Sequence, residues 1–205
     1  MKKNYQKELD QILLHLDPSD EKPSLLLHSC CAPCSSYVLE YLHKYFRITV
    51  YYYNPNITEK AEYDKRIQEV RRLITEMGLR DVDVLEGDHN PKAFFAMAAN
   101  WPGEKEGGLR CYDCYKMRLM STAETAAMKG YDYFTTTLSI SPHKNAQWLN
   151  ELSEEAAAIY GVKSLPADFK KRNGYKRSIE LSAEYDLYRQ DYCGCIFSKK
   201  ERELV

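Results

Sequence analysis

Leu25-Leu26-Leu27-His28-Ser29-Cys30-Cys31-Ala32-Pro33-Cys34-Ser35-Ser36 is the stretch that decides the reading of this chain. Its three leucines form a short continuous apolar run, the pattern of a strand buried on both faces. Val38, Tyr41, Leu42 and Tyr45 then recur at helical spacing. A buried strand that passes through cysteines straight into a helix is the opening of an α/β unit, with reactive groups in its first turn.

The pattern repeats outward. A polar helical lead-in of about Lys3 to Leu16 precedes the first strand. Ile48 to Tyr53, β-branched and aromatic, reads as a second strand ended by Asn54-Pro55-Asn56. Tyr63, Ile67, Val70, Ile74 and Met77 mark a helix closed by Gly78, and Val82 to Leu85 a third strand. A short helix from Asn90-Pro91 to Ala99 leads through the loop Gly103 to Gly108 into a helix that carries Cys111 and stops at Gly130. Tyr131 to Thr137 reads as a fourth strand, followed by the loop Ser139 to His143. Leu149, Leu152, Ala156 and Ile159 mark a helix ended by Gly161, and Val162 to Leu165 a fifth strand. Such alternation predicts a Rossmann-like α/β fold, a parallel sheet flanked by helices. The expectation is one domain over residues 1–205, with 1–24 a helical leader and the polar, Tyr-rich 166–205 a cap that carries the last two cysteines. In such sheets ligands bind beyond the carboxyl ends of the strands, where the loops holding Cys30, Asn54, Asn56 and His143 converge.

Bulk properties narrow the class. With 205 residues, 44% of them hydrophobic, the chain can bury an ordinary core without disulfides. The longest apolar run before Ser24 is Ile12 to Leu14, and nothing approaches the roughly 18 residues of a membrane span, so a cytoplasmic protein is expected. A net charge of −1 gives no general attraction to nucleic acid, so any such footprint must be local. Lys170-Lys171-Arg172, with Lys176 and Arg177 close behind, is the best candidate, although a run this short reads first as a solvated charged stretch.

The seven cysteines fall in three tight groups: Cys30, Cys31 and Cys34; Cys111 and Cys114; Cys193 and Cys195. In a reducing compartment an odd count argues against a disulfide framework and for metal or redox chemistry. Cys111 and Cys114 share a helix face; with two cysteines of the first loop they would complete a four-thiolate set for a 4Fe-4S cluster. Arg118, one turn further, would offset that charge, hold a substrate oxygen or simply face solvent. Other readings stand beside this one. Cys31-Ala-Pro-Cys34 resembles the redox pair of a thiol–disulfide oxidoreductase, but that leaves five cysteines unexplained. A structural zinc site fits the adjacent Cys30 and Cys31 poorly. A nucleotide-activating thiolase of the ATP-pyrophosphatase type needs glycines in the first loop to cradle phosphates, and residues 28–36 contain none, although a HUP-related fold fits.

Taken in order, several motifs resemble one family, the cobalamin-independent epoxyqueuosine reductases (QueH). They are His28-Ser-Cys-Cys-Ala-Pro-Cys34, Tyr53-Asn-Pro-Asn-Ile57 with Tyr63 and Arg66, and Arg110-Cys-Tyr-Asp-Cys-Tyr-Lys-Met-Arg118. Ser139-Ile-Ser-Pro-His-Lys144, Asp168-Phe-Lys-Lys with Gly174-Tyr175, and Tyr188-Arg-Gln-Asp-Tyr-Cys-Gly-Cys195 complete the set. The resemblance implies reduction of epoxyqueuosine to queuosine at the wobble position of a tRNA with a GUN anticodon, with electrons from an unidentified donor. It further implies that Cys30, Cys31, Cys111 and Cys114 ligate a 4Fe-4S cluster. Cys193 and Cys195 would be a redox-active pair, or ligands with Cys34 of a second, mononuclear iron. Tyr192, Asp168 and His143 are the candidate proton donors by motif position, and Tyr53, Tyr175 and Tyr192 the stacking surfaces for a flipped nucleoside. Lys170, Lys171, Lys176 and Arg177 would meet the anticodon backbone. The alternative, a zinc-stabilised tRNA-binding module, keeps the fold and loses the reaction.

Overall fold

Leu25 and Leu27 point to one face of a sheet and Leu26 to the other, and each finds its own apolar layer. The computed structural model describes residues 3–16 and 21–203, so parts of the leader and the last two residues of the cap lie outside the described residues. Within them β1 (Ser24–His28) is the central strand of a five-stranded parallel sheet. It is flanked by β2 (Arg47–Tyr52) and β3 (Asp83–Glu86) on one side and by β4 (Tyr133–Thr136) and β5 (Lys163–Ser164) on the other. The order 3-2-1-4-5 is that of the first five strands of a Rossmann sheet. The pairing Leu27↔Val50 and Leu27↔Thr135 fixes its register.

The layer under Leu25 and Leu27 contains α1 (Tyr5–Leu14), α2 (Ala32–Leu42) and α3 (Lys60–Glu76), with Phe46 and Phe169 among its largest buried side chains. Leu26 and Phe134 pack instead on α5 (Leu109–Lys129) and α6 (Ala146–Tyr160), where Ala123, Ala126 and Ala156 permit close approach. Between β3 and α5 lies α4 (Pro91–Ala98), capped by the Asn90 side chain.

The chain reverses direction of travel between β1 and β4: β1 connects outward to β2, and the β4 connection runs to the opposite edge. That split opens a crevice at the carboxyl ends of the two strands. Beyond β4 the segment Ser139–His143 begins as a 3-10 turn, Thr137–Ile140, rather than open loop. The C-terminal segment forms α7 (Gly174–Glu184) and α8 (Ile196–Glu203), joined by an irregular strap that crosses the crevice. No helix among the described residues is long and apolar enough to cross a membrane.

Candidate active site

The turn after β1 supplies the first group of cysteines. His28 is fully buried and ties three strands together: one ring nitrogen lies 2.9 Å from Thr136 Oγ1, the other 3.1 Å from the Tyr53 carbonyl. Burial holds its pKa down at about 3, so the ring is a neutral brace. Asn54 Nδ2 donates to the Ser29 carbonyl at 2.8 Å, and Ser35 Oγ to the Cys31 carbonyl at 2.9 Å. These bonds force the turn to present Cys30, Cys31 and Cys34 together, with their sulfurs all within 4.8 Å of one another. Cys31 caps α2 through its backbone, so the positive end of that helix faces the sulfurs. The group is suited to holding a metal ion.

Cys111 and Cys114, in the first turns of α5, and Cys193 and Cys195, in the strap, form a second gathering. Cys195 shares an apolar cluster with Cys114, Phe94 and Ala98, and its sulfur lies 3.7 Å from that of Cys193. Cys30 packs against the cluster that holds Cys111 and Tyr115, which joins the two gatherings at one wall. Backbone N–H groups support the sulfurs: Gly107 donates to Cys111 Sγ and Ser198 to Cys195 Sγ, each at 3.3 Å. Burial raises the thiol pKa of Cys111 and pushes that of Cys114 up to about 11. Cys193 lies well below the ordinary thiol range, chiefly because Cys195 donates to its sulfur.

Three cations stand among these thiols, Arg66 and Arg118 buried and Lys144 partly so. Arg66 Nε meets Glu62 at 2.7 Å, and its Nη1 and Nη2 donate to the carbonyls of Cys193 and Tyr192. Lys144 lies 3.3 Å from Glu106, whose other oxygen accepts from Ser198 Oγ at 2.9 Å; Ser198 Oγ in turn accepts from the Cys193 N–H. Arg118 has no carboxylate partner among the described residues. Its Nη1 donates to Asn56 Oδ1 at 3.0 Å and approaches Cys114 Sγ at 3.9 Å, while its Nε and Nη2 are buried without an acceptor. An isolated buried guanidinium is costly, so anionic sulfur is the counter-charge this interior calls for. The guanidinium stays charged against its burial because of Cys114, Cys30 and Cys193. Thiolates that bind a metal have lost their protons, so a cluster held by cysteines fits the donor set and this orphaned arginine alike.

A cavity of about 310 Å³ opens onto the first cysteine group and is lined by Cys30, Cys31, Cys34, Cys193, Arg66 and Arg118. Tyr175, Tyr192 and His143 also line it, His143 being exposed at its mouth. Other expected site residues do not line the cavity. The Tyr53 ring stacks on Tyr51 with centroids 6.0 Å apart and does not line the cavity. Asn54 and Asn56 are buried braces, the latter donating to the Cys193 carbonyl at 3.4 Å. Asp168 is paired with Lys170 at 2.6 Å and with Lys171 at 3.8 Å. Arg177 meets Glu40 at 2.6 Å, and Lys176 is exposed away from the cavity lining.

The structure adds Arg66, Glu106, Lys144, Gln190 and Ser198 to the site. Arg66 was recoverable from sequence as a charge set between Tyr63 and Val70 on the apolar face of α3. Lys144 stood at the end of the Ser139–Lys144 motif. Gln190 stood inside the Tyr188–Cys195 motif, whereas Glu106 carried no signal because its partners Lys144 and Ser198 are remote in sequence.

The chain matches the family model described as "Epoxyqueuosine reductase QueH" over residues 25–201. The Staphylococcus epidermidis protein named epoxyqueuosine reductase QueH is 45% identical, the match covering 98% of this chain and 87% of that protein. The Streptococcus pyogenes protein of the same name is 43% identical over 96% of this chain and 78% of its own length. That of Thermotoga maritima is 32% identical over 87% and 92%.

Proposed function

The chain belongs to the epoxyqueuosine reductase QueH family, and from that membership we propose that it is an oxidoreductase that removes the epoxide oxygen of epoxyqueuosine in tRNA, giving queuosine. The carrying observation is that Cys30, Cys31, Cys34 and Cys193 line one cavity with the buried Arg118, while Cys111 packs with Cys30 and Cys114 and Cys195 pack with Cys193. Inert buried cysteines would scatter among apolar neighbours and would need no guanidinium between them.

In this reading Cys30, Cys31, Cys111 and Cys114 hold a 4Fe-4S cluster, which when bound supplies electrons one at a time. Cys193 and Cys195 are the redox-active pair. Two thiols becoming a disulfide release two electrons and two protons; an epoxide taking up both becomes an alkene and water, so the step balances. A disulfide spanning Cys193-Gly194-Cys195 closes a small strained ring, which a donor reduces easily for the next turnover. The 3.7 Å between the sulfurs and the positive φ of 109° at Gly194 suit that ring. Cys34, grouped with Cys30 and Cys31, keeps a second role open as a ligand of a mononuclear iron.

The remaining residues bind and orient. Arg118 presents N–H groups toward the charge that develops on the departing oxygen. Tyr192 and His143 stand at the cavity as proton donors, and Tyr175 and Tyr192 offer faces for a flipped nucleoside. Asp168, the third candidate donor, is paired with Lys170 and does not line the cavity.

The test is the visible spectrum of anaerobically purified protein with iron and zinc counted per chain, followed by turnover of epoxyqueuosine-bearing tRNA. The reading expects a broad band near about 400 nm that bleaches with dithionite, about four irons or more, and queuosine as product. A colourless protein that keeps zinc and takes up no cluster on anaerobic reconstitution overturns it in favour of a zinc-stabilised tRNA-binding module.

A further inference from the structure

A cavity of about 310 Å³ lies at the small end of ligand pockets, which run from roughly 300 to 1,000 Å³. A nucleoside flipped into it leaves the phosphates on either side at the mouth. The cations there decide where the backbone lies.

Those cations are not the ones that the run of basic residues suggests. Arg172 is paired with Asp10, Arg177 with Glu40, and Lys170 and Lys171 both with Asp168. Carboxylates from α1, α2 and the β5–α7 connection thus neutralise most of the 170–177 stretch. Of the cations that line the cavity, Arg66 and Lys144 are engaged by Glu62 and Glu106, and Arg118 is buried. Arg189 and Arg202 remain: both line the cavity, both are exposed, and neither makes a salt bridge among the described residues, although the charge of Arg202 acts on Glu106 and the exposed Asp191 lines the same mouth. Arg189 is also pre-positioned. Its Nη1 donates to Ser182 Oγ at 2.9 Å, and that hydroxyl is itself fixed by donating to the Ser178 carbonyl at 2.6 Å. One end of the guanidinium is held against α7 and the other is left for an incoming oxyanion.

We infer that Arg189 and Arg202 are the phosphate grips of an RNA-binding rim, seating the backbone on either side of the nucleoside that enters the cavity. The inference rests on the tRNA reading above and replaces the 170–177 stretch as the main backbone contact. With a net charge of −1 the protein lacks a general attraction to RNA, so two arginines at the mouth that make no salt bridge among the described residues control both register and affinity.

The experiment is equilibrium binding of epoxyqueuosine-bearing tRNA to the holoprotein without reductant, over a range of salt concentrations. Arg189→Gln and Arg202→Gln are expected to weaken binding and each to lower the slope of log affinity against log salt by about 0.7 to 1, one phosphate contact apiece. Both side chains are exposed, so unchanged thermal unfolding serves as the folding control. Wild-type protein that binds the tRNA, with a slope that neither substitution lowers, overturns the inference and leaves the reductase reading intact. So does a slope lowered instead by Lys171→Gln and Arg177→Gln. Wild-type protein with no salt-dependent affinity for the tRNA overturns both.

Discussion

Removing the Arg66 guanidinium is the sharpest probe of how the strap is held. Arg66 is 1% exposed; it bonds Glu62 at 2.7 Å, donates to the carbonyls of Cys193 and Tyr192, and lies 5.3 Å from the centre of the Tyr192 ring. Arg66→Met keeps the apolar stem and deletes every one of those contacts. It leaves Glu62, 11% exposed, with only the Tyr188 hydroxyl, and two strap carbonyls without their donors. Breaking a buried pair by removing one partner costs about 3–5 kcal/mol. With a urea m value of about 2 kcal/mol/M, the unfolding midpoint falls by roughly 1.5–2.5 M. The assay is urea unfolding of variants matched for iron content, run as a double-mutant cycle with Glu62→Gln. A coupling of about 1–3 kcal/mol is expected, and faster alkylation of Cys193 and Cys195 in the native protein should accompany it. A midpoint shift below about 0.5 M, or no coupling, would show that burial of Arg66 is incidental and that the strap is held by other contacts.

Three further outcomes follow from the same geometry. Cys193→Ser should retain the iron content of the wild type and lose turnover; loss of the cluster in that variant sinks the assignment of ligands to the other cysteines. Gly194→Ala forces a side chain into φ +109°, with its Cβ 2.8 Å from Ile57 Cγ1 and 3.2 Å from Arg66 Nη1, so a destabilisation of about 1–3 kcal/mol and disrupted closure of the Cys193–Cys195 pair are expected in unfolding and thiol-oxidation assays. Glu69 is held below its ordinary pKa by the hydrogen bond from Arg72, which also donates to the strap carbonyls of Tyr185 and Asp186. Its contribution is therefore present above the unfolded value near 4.5 and lost as pH falls through the depressed folded value. Glu69→Gln should flatten that acid limb of stability, and an unchanged limb refutes the role.

The sheet was legible because its signals are local. Leu25, Leu26 and Leu27 are apolar on both faces, as only a central strand requires, and the glycines at 130 and 161 stop their helices in the left-handed conformation. α7 was not legible, for a physical reason: its buried face is Gly174, Ser178, Leu181 and Ser182, small and polar residues that pack against α2 and leave no apolar period. α8 buries Ser198 alone among its residues. In the site, the spacing of Cys111 and Cys114 announced a shared helix face, but no pattern in the sequence could show that Cys195 packs on Cys114. That acids arrive from α1 and α2 against the basic stretch at 170–177, Asp10 on Arg172 and Glu40 on Arg177, was likewise invisible in the sequence.

Charge balance ties these features together. Arg66, Arg118 and Lys144 bring three positive charges into the crevice, and Glu62 and Glu106 answer two of them. With Cys111 and Cys114 as neutral thiols, which burial favours, the third charge has no carboxylate among the described residues and only the more distant Cys30 and Cys193 to answer it. Deprotonating sulfur near Arg118 removes that penalty, and ligation by a metal is the ordinary way to hold a buried thiolate. The arginine and the thiols therefore stabilise each other only when the sulfurs are anionic. Arg118→Gln should consequently weaken retention of iron, while Arg118→Lys, which keeps the charge and loses the fork, should retain iron better than it retains turnover. Equal iron content in all three proteins would mean that the guanidinium serves the substrate alone.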